Sequence, residues 1–323
     1  YSDMVLAGGV EAMSQAPVML NRQMVDWLSD LNQAKGLGKK LSVLTKLRPG
    51  HLKPVIALLL GLTDPVVGLS MGRTAEILAS RFGISREEMD AFAVSSHQRL
   101  AAAHAEGRLD EIEVIYDQNG KSYSADDGVR PDSSMEALAK LKPVFDRPHG
   151  LVTAGNSAQV TDGAAWLLLA SETAIEQHQL TPLGRIVDCE WAGLSPEQMG
   201  LGPVYASSAL LERNKLGLSE IDYWEINEAF ATQVLACVRA MADKVFCKTE
   251  LDRNNAMGEI DLEHLNVDGG GISLGHPVGA SGARIVLHML KTLQRTQAKT
   301  GIASLCVGGG QGGAMLLENT HVG

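Results

Sequence analysis

The sequence predicts an α/β fold with a layered sheet, and three observations carry that expectation. In the second half, short apolar runs alternate with helix-length stretches, the pattern of strands covered by helices. The run Ala165-Trp166-Leu167-Leu168-Leu169-Ala170-Ser171 is nearly continuous, as in a strand buried on both faces. No tandem repeat of about 20–50 residues is present, which leaves out solenoids and propellers.

Taken in order, residues 4–9 read as a buried strand ending at Gly8-Gly9. Residues 21–68 lack strand alternation and are basic and leucine-rich. Residues 74–82 are expected to form a helix. Ser85-Arg86-Glu87-Glu88 is a capping box that opens another: the Ser85 hydroxyl accepts from an early amide, and Glu88 reaches back. That helix runs to about residue 106, where Gly107 stops it. Residues 111–116 alternate weakly, like an exposed strand. Further strands are expected at 165–171, 185–192, 223–226, 302–307 and 314–317, with helices at 203–215, 228–244 and 280–293.

The chain has 323 residues, 45% apolar and 20% charged, enough for two domains or one large double domain. Mean hydropathy is near zero, and no apolar run approaches the roughly 20 residues of a membrane span. The first residues read as a strand running into a turn rather than as a secretory leader. Cys189, Cys237, Cys247 and Cys306 form no C-x-x-C pair, which argues against a disulfide framework or a zinc site and for a reducing compartment. The histidines show no metal-ligand spacing, so no metal is expected. Net charge is −10, an unfavourable balance for nucleic acid. It is uneven: residues 31–63 contain no Asp or Glu, while Lys35, Lys39, Lys40, Lys46, Arg48 and Lys53 make them +6.

Three strings carry chemistry. Tyr223-Trp224-Glu225-Ile226 leads into Asn227-Glu228-Ala229-Phe230-Ala231, a strand delivering polar groups to its carboxyl end, where ligands bind in such folds. Asn227 also suits a helix N-cap, and on this string alone the cap is the favoured role. The second string, from Gly269-Gly270-Gly271 through Gly275-His276-Pro277 to Gly279-Ala280-Ser281-Gly282, is costly for mere packing. Its glycines sacrifice chain entropy, and Pro277 restricts His276. The third, Cys306-Val307-Gly308-Gly309-Gly310-Gln311-Gly312-Gly313, is a strand running into glycines. Gly308, Gly310 and Gly313 match G-x-G-x-x-G, but a dinucleotide site needs a helix next, and the remaining residues read as a strand.

In order and wording these strings resemble the thiolase family. Gly8-Gly9-Val10-Glu11-Ala12-Met13-Ser14, Met71-Gly72-Arg73-Thr74, Lys142-Pro143-Val144-Phe145, Thr153-Ala154-Gly155-Asn156 and Met199-Gly200-Leu201-Gly202-Pro203 extend the likeness across the chain. The resemblance implies a layered αβαβα double domain: an N-terminal half over residues 1–171 with an inserted loop domain at about 15–150, and a C-terminal half over 172–323. It implies thiolysis of 3-ketoacyl-CoA or the reverse condensation, with coenzyme A as co-substrate and no permanently bound cofactor.

By the same resemblance His276 activates a nucleophilic cysteine and then donates from Nε2 to a thioester enolate. Asn227 holds a water as the other donor, Cys306 is the general acid/base, and the Gly308 amide serves a second oxyanion hole. A thiol beside an imidazolium titrates low enough to be a thiolate. Phe145, Ser157, Ala158, Met199, Ala229 and Phe230 match the lining of the CoA tunnel. Ala158 stands where the family often has serine, and Ser70 where short-chain members have histidine. Both departures lean toward the degradative β-oxidation branch. The basic stretch resembles a loop that meets the membrane or the α subunit in fatty-acid oxidation complexes.

The family's nucleophile lies shortly before the strand matched by residues 4–9, and none of the four cysteines matches its context. The chain is therefore expected to be an N-terminally truncated piece without turnover of its own. A catalytically inactive CoA-binding or scaffolding subunit is the alternative. The resemblance further implies a homodimer or tetramer and a cytoplasmic or mitochondrial-matrix location.

Overall fold

The computed structural model describes residues 2–322. The chain opens with β1 (Met4–Ala12), β2 (Val18–Leu20), α1 (Arg22–Gln33), α2 (Leu37–Leu44), β3 (Pro54–Ile56) and α3 (Ala57–Gly61). Then come α4 (Met71–Phe82), α5 (Arg86–Ala105), β4 (Ile115–Tyr116), β5 (Ser122–Tyr123), α6 (Met135–Leu138), β6 (Asp162–Ala170) and α7 (Glu172–His178). The second half contains β7 (Arg185–Gly193), α8 (Gly202–Asn214), β8 (Tyr223–Ile226), α9 (Ala231–Ala242) and α10 (Lys244–Glu250). It closes with α11 (Gly271–Leu274), α12 (Val278–Thr296), β9 (Thr300–Val307) and β10 (Gln311–Glu318).

A four-stranded sheet of order β7-β10-β9-β8 holds the centre of the second half. β8 and β9 are parallel, so the chain must cross over between them, and α9 to α12 make that crossing. β9 with β10, and β10 with β7, are antiparallel. Alternation along β7 separates the faces of the sheet. Asp188 and Glu190 turn toward α8, where both pair with Arg213. Cys189 and Trp191 turn the other way and line a groove with Gly282 and Ile285 of α12. Ile285, Val286, Met289, Leu290 and Leu293 recur at helical spacing, and that buried stripe seats α12 on the sheet. The same helix also packs against a two-stranded ribbon of β1 and β6. The α/β layered expectation is met: ribbon, helix, sheet and helix succeed one another.

Several local expectations need correction. The strand at residues 4–9 extends to Ala12 and is not buried, and the run at 165–171 is not covered on both faces. Among the described residues β1 and β6 pair only with each other, and α12 covers one side. Leu6 is 64% and Leu168 is 56% exposed. The basic stretch at 21–68, expected to lack strand alternation, folds mainly as α1, α2 and α3, with β3 pairing with β2 in a short hairpin. The Asn21 side chain caps α1 through the Met24 amide at 2.9 Å. The strand at 111–116 shrinks to Ile115–Tyr116, paired with Ser122–Tyr123. The capping box of α5 forms as expected, with Glu88 N on Ser85 Oγ at 3.2 Å and Ser85 N on Glu88 Oε2 at 2.8 Å.

Candidate active site

Asn227 follows the last residue of β8, and its amide still donates to Ser304 O of β9 at 2.9 Å. The next helix, α9, begins at Ala231, with Phe230 at its N-cap position. Asn227 is therefore no helix cap, and the favoured local reading fails. The reason is long-range pairing. Ala158 N donates to Ala229 O, and Ala231 N to Asn156 O, both at 3.0 Å, so residues 227–230 are held beside the 156–158 loop instead of entering the helix. The freed side chain places Nδ2 3.4 Å from His276 Nε2.

Glu228 fastens this strand end to the glycine string. Its buried carboxylate accepts from Ser96 Oγ at 2.7 Å, Asn266 Nδ2 at 2.9 Å and Ile272 N at 3.2 Å. Asn266 also brackets Ile226, donating to its carbonyl and accepting from its amide at 2.9 Å each. Burial raises the Glu228 carboxyl above its usual range, against the pull of those donors.

His276 lies between α11 and α12. The chain turns at Gly275 with φ +95°, where any side chain is strained and a Cβ meets Thr161. His276 N donates to Gln159 O at 3.3 Å, and Nδ1 lies 2.7 Å from Ser281 Oγ in the first turns of α12. Burial, with Arg284 nearby, pushes the imidazolium down to about 4.

Cys306 is the penultimate residue of β9, packed with Met199 and Ala229 and flanked by Met71 and Phe230. Burial pushes its thiol up to about 12. Burial disfavours the charged form of each group, the imidazolium of His276 and the thiolate of Cys306. Beyond Val307 the strand reverses through Gly308-Gly309-Gly310, with positive φ at Gly309 and Gly310. The chain then enters strand β10, so the glycine pattern is a hairpin and no dinucleotide loop.

The CoA candidates gather around the Ala229-Phe230 segment. Phe145 meets Phe230 edge-on with ring centroids 5.9 Å apart. Ser157 bridges to Phe230 in antiparallel fashion, and its hydroxyl is spent on Thr153 O at 2.6 Å. Ala158 is tied to Ala229 through its amide, and Met199 touches the Ala229–Cys306 cluster. Of the remaining cysteines, Cys237 is buried in α9 with its thiol on Gly200 O at 3.2 Å. Cys247 is buried within α10, and Cys189 is exposed on β7. Among the described residues, none of the three is hydrogen-bonded to His276 or Asn227. A polar cavity of about 420 Å³ lined by Tyr205, Glu212 and Asp252 shares no residue with this constellation.

Sequence reasoning missed Met71, Glu228, Asn266 and Ser281 as site residues. Met71, Glu228 and Ser281 lie inside the family-like strings, so a signal was present for them. Asn266, distant in sequence, carried no local signal.

Residues 1–173 match the family model described as "Thiolase, N-terminal domain", and residues 180–319 that of "Thiolase, C-terminal domain". A 3-ketoacyl-CoA thiolase of Pectobacterium atrosepticum is 40% identical over 318 residues, which cover 98% of this chain and 72% of the relative. One from Serratia proteamaculans is 39% identical over 97% of this chain and 72% of its own length. Among solved structures, human mitochondrial 3-ketoacyl-CoA thiolase aligns with a TM-score of 0.82 at 38% identity, covering 99% of this chain and 72% of that one. The human protein in complex with CoA aligns at 0.81, also at 38% identity, covering 99% of this chain and 71% of that one.

Proposed function

The chain belongs to the thiolase family, and from that premise we propose that it supplies the acid/base and oxyanion half of 3-ketoacyl-CoA thiolysis, or the reverse Claisen condensation, in fatty-acid β-oxidation. The observation that carries this reading is the convergence of Asn227 and His276, 3.4 Å apart, beside the strand β9 that carries Cys306 next to its end. Family mechanism gives each a task. Cys306 moves the proton at the carbon α to the thioester, and His276 Nε2–H with an Asn227-held water stabilises the enolate oxygen. Preorganised donors of this kind are each worth about 3 kcal/mol of barrier. The Gly308 amide serves the oxyanion of the acyl-transfer step. Cys306 donates the α-carbon proton in the thiolysis direction and accepts it in the condensation direction, through the thiolate that burial makes the minor form.

Phe145, Met199, Ala229 and Phe230 line the pantetheine path in this reading, with Ser157 and Ala158 shaping its wall. The acyl-accepting cysteine is not among the four of this chain. We therefore propose that residues 1–323 alone bind CoA without turning over. The proposed halves are 1–171, with an inserted loop domain at about 15–150, and 172–323. Purified residues 1–323 incubated with a 3-ketoacyl-CoA and CoA are expected to yield no acetyl-CoA, while calorimetry registers CoA binding. Turnover would overturn the missing-nucleophile part, and absence of binding would overturn the CoA reading.

The +6 stretch over residues 31–63 exposes Leu37, Leu41, Leu44, Leu47 and Leu52 among its lysines. That mix suits an anionic surface, acidic lipid or the acidic face of a β-oxidation α subunit. Sedimentation with acidic vesicles that high salt abolishes supports the lipid version, and no binding at low salt rejects it.

A further inference from the structure

The proton count around Ser281 fixes something that the heavy atoms leave open, namely which nitrogen of His276 carries hydrogen. Pro277 O, a carbonyl with two lone pairs, already accepts from Ala280 N at 2.8 Å and Ser281 N at 3.0 Å. The Ser281 hydroxyl lies 3.1 Å from the same oxygen and 2.7 Å from His276 Nδ1. Its single hydrogen can go to Pro277 O, which already has two donors, or to His276 Nδ1, the shorter contact.

We propose that Ser281 is a positioning residue that donates its hydroxyl hydrogen to His276 Nδ1 and thereby locks the ring in the Nε2–H tautomer. The histidine then needs no positive charge to act as a donor, which matters because burial disfavours the imidazolium. Nε2–H and the Asn227 amide, 3.4 Å apart, become two donors facing one space without an acceptor between them. Such a pair is completed by an oxyanion. Ser281 is fully buried in the opening turns of α12, so water does not compete for the hydroxyl.

The proposal rests on the thiolase reading for its purpose but not for its test. Histidine labelled with 15N in the 323-residue chain reports the tautomer directly, with His276 assigned by signal loss in His276→Asn. The wild type is expected to show a pyrrole-like Nε2 and a pyridine-like Nδ1. In Ser281→Ala the Nδ1 signal is expected to shift toward the non-hydrogen-bonded value as Nδ1–H tautomer appears. Ser281→Thr, which keeps the hydroxyl, restores the wild-type pattern. A protonated Nδ1 in the wild type, or unchanged ring shifts in Ser281→Ala, overturns the role given to Ser281. Thiolase chemistry fails or holds separately, in the CoA-binding and turnover measurements.

Discussion

The inner strands β8, β9 and β10 of the sheet and the ribbon of β1 and β6 are both rich in apolar residues, yet they end in opposite states, while the edge strand β7 is as exposed as β1. Ile226, Ile302 and Leu316 of the sheet are buried, with Leu210 and Leu211 of α8 packed into the same core. Val5, Leu6, Val10 and Leu168 of the ribbon are exposed. The difference is the number of covered faces. Around the sheet, α8 and α12 take opposite sides; on the ribbon, α12 takes one. Apolar pattern thus states which residues suit burial, and only the neighbours decide whether burial occurs. The candidate catalytic side chains obey this division. Asn227 and Cys306 stand at the ends of covered strands, and His276 precedes the helix that joins sheet to ribbon.

The largest expected contrast is in core truncation. Leu210→Ala should cost about 3 kcal/mol in urea unfolding, because it empties a fully buried site. Leu6→Ala should cost under about 0.5 kcal/mol. Equal costs would dissolve the distinction between the two regions.

A second contrast is pH dependence within the covered half. The folded-state pKa of His276, about 4, lies below the ordinary histidine value of 6.5. Between those values the unfolded chain binds more protons, so stability rises with pH across the window and is lost as pH falls through it. The shift corresponds to about 3 kcal/mol at most. Glu225, fully buried with a carboxyl pushed up to about 7, acts in the opposite sense from 4.5 upward. Comparing His276→Asn with wild type therefore isolates the histidine. The variant's unfolding free energy should lose the histidine's upward contribution between about pH 4 and 6.5, rising less or falling more steeply with pH than the wild type's, and an unchanged slope would show that the ring is not buried neutral.

The smallest expected effect is local. Ser85→Ala removes one half of the α5 capping box and should lower stability by about 1 kcal/mol, read by thermal unfolding. No loss would mean that tertiary contacts alone hold that helix start.

Legibility in the sequence tracked the range of the interactions. The α5 cap, the end of β8 at Ile226 and the hairpin after Cys306 depend on neighbours in sequence, and their patterns announced them. The role of Asn227 was misjudged from local pattern because the pairing that holds residues 227–230 out of the helix comes from the 156–158 loop, far away in the chain. The helices of the basic stretch were missed because lysines and glycines interrupt an apolar stripe that never becomes buried. The shifts of His276 and Cys306 toward their neutral forms were invisible for a similar reason, since burial is a property of the folded environment.

The central claim is that Cys306, at the end of β9, is the acid/base group of an acyl-CoA site that this chain already forms. Deuterium incorporation into the methyl group of acetyl-CoA in D2O, monitored by NMR with and without residues 1–323, tests it most directly. Exchange faster with the protein than without it, and lost in Cys306→Ala, is the predicted result. No acceleration, or acceleration that persists in Cys306→Ala, would contradict the account.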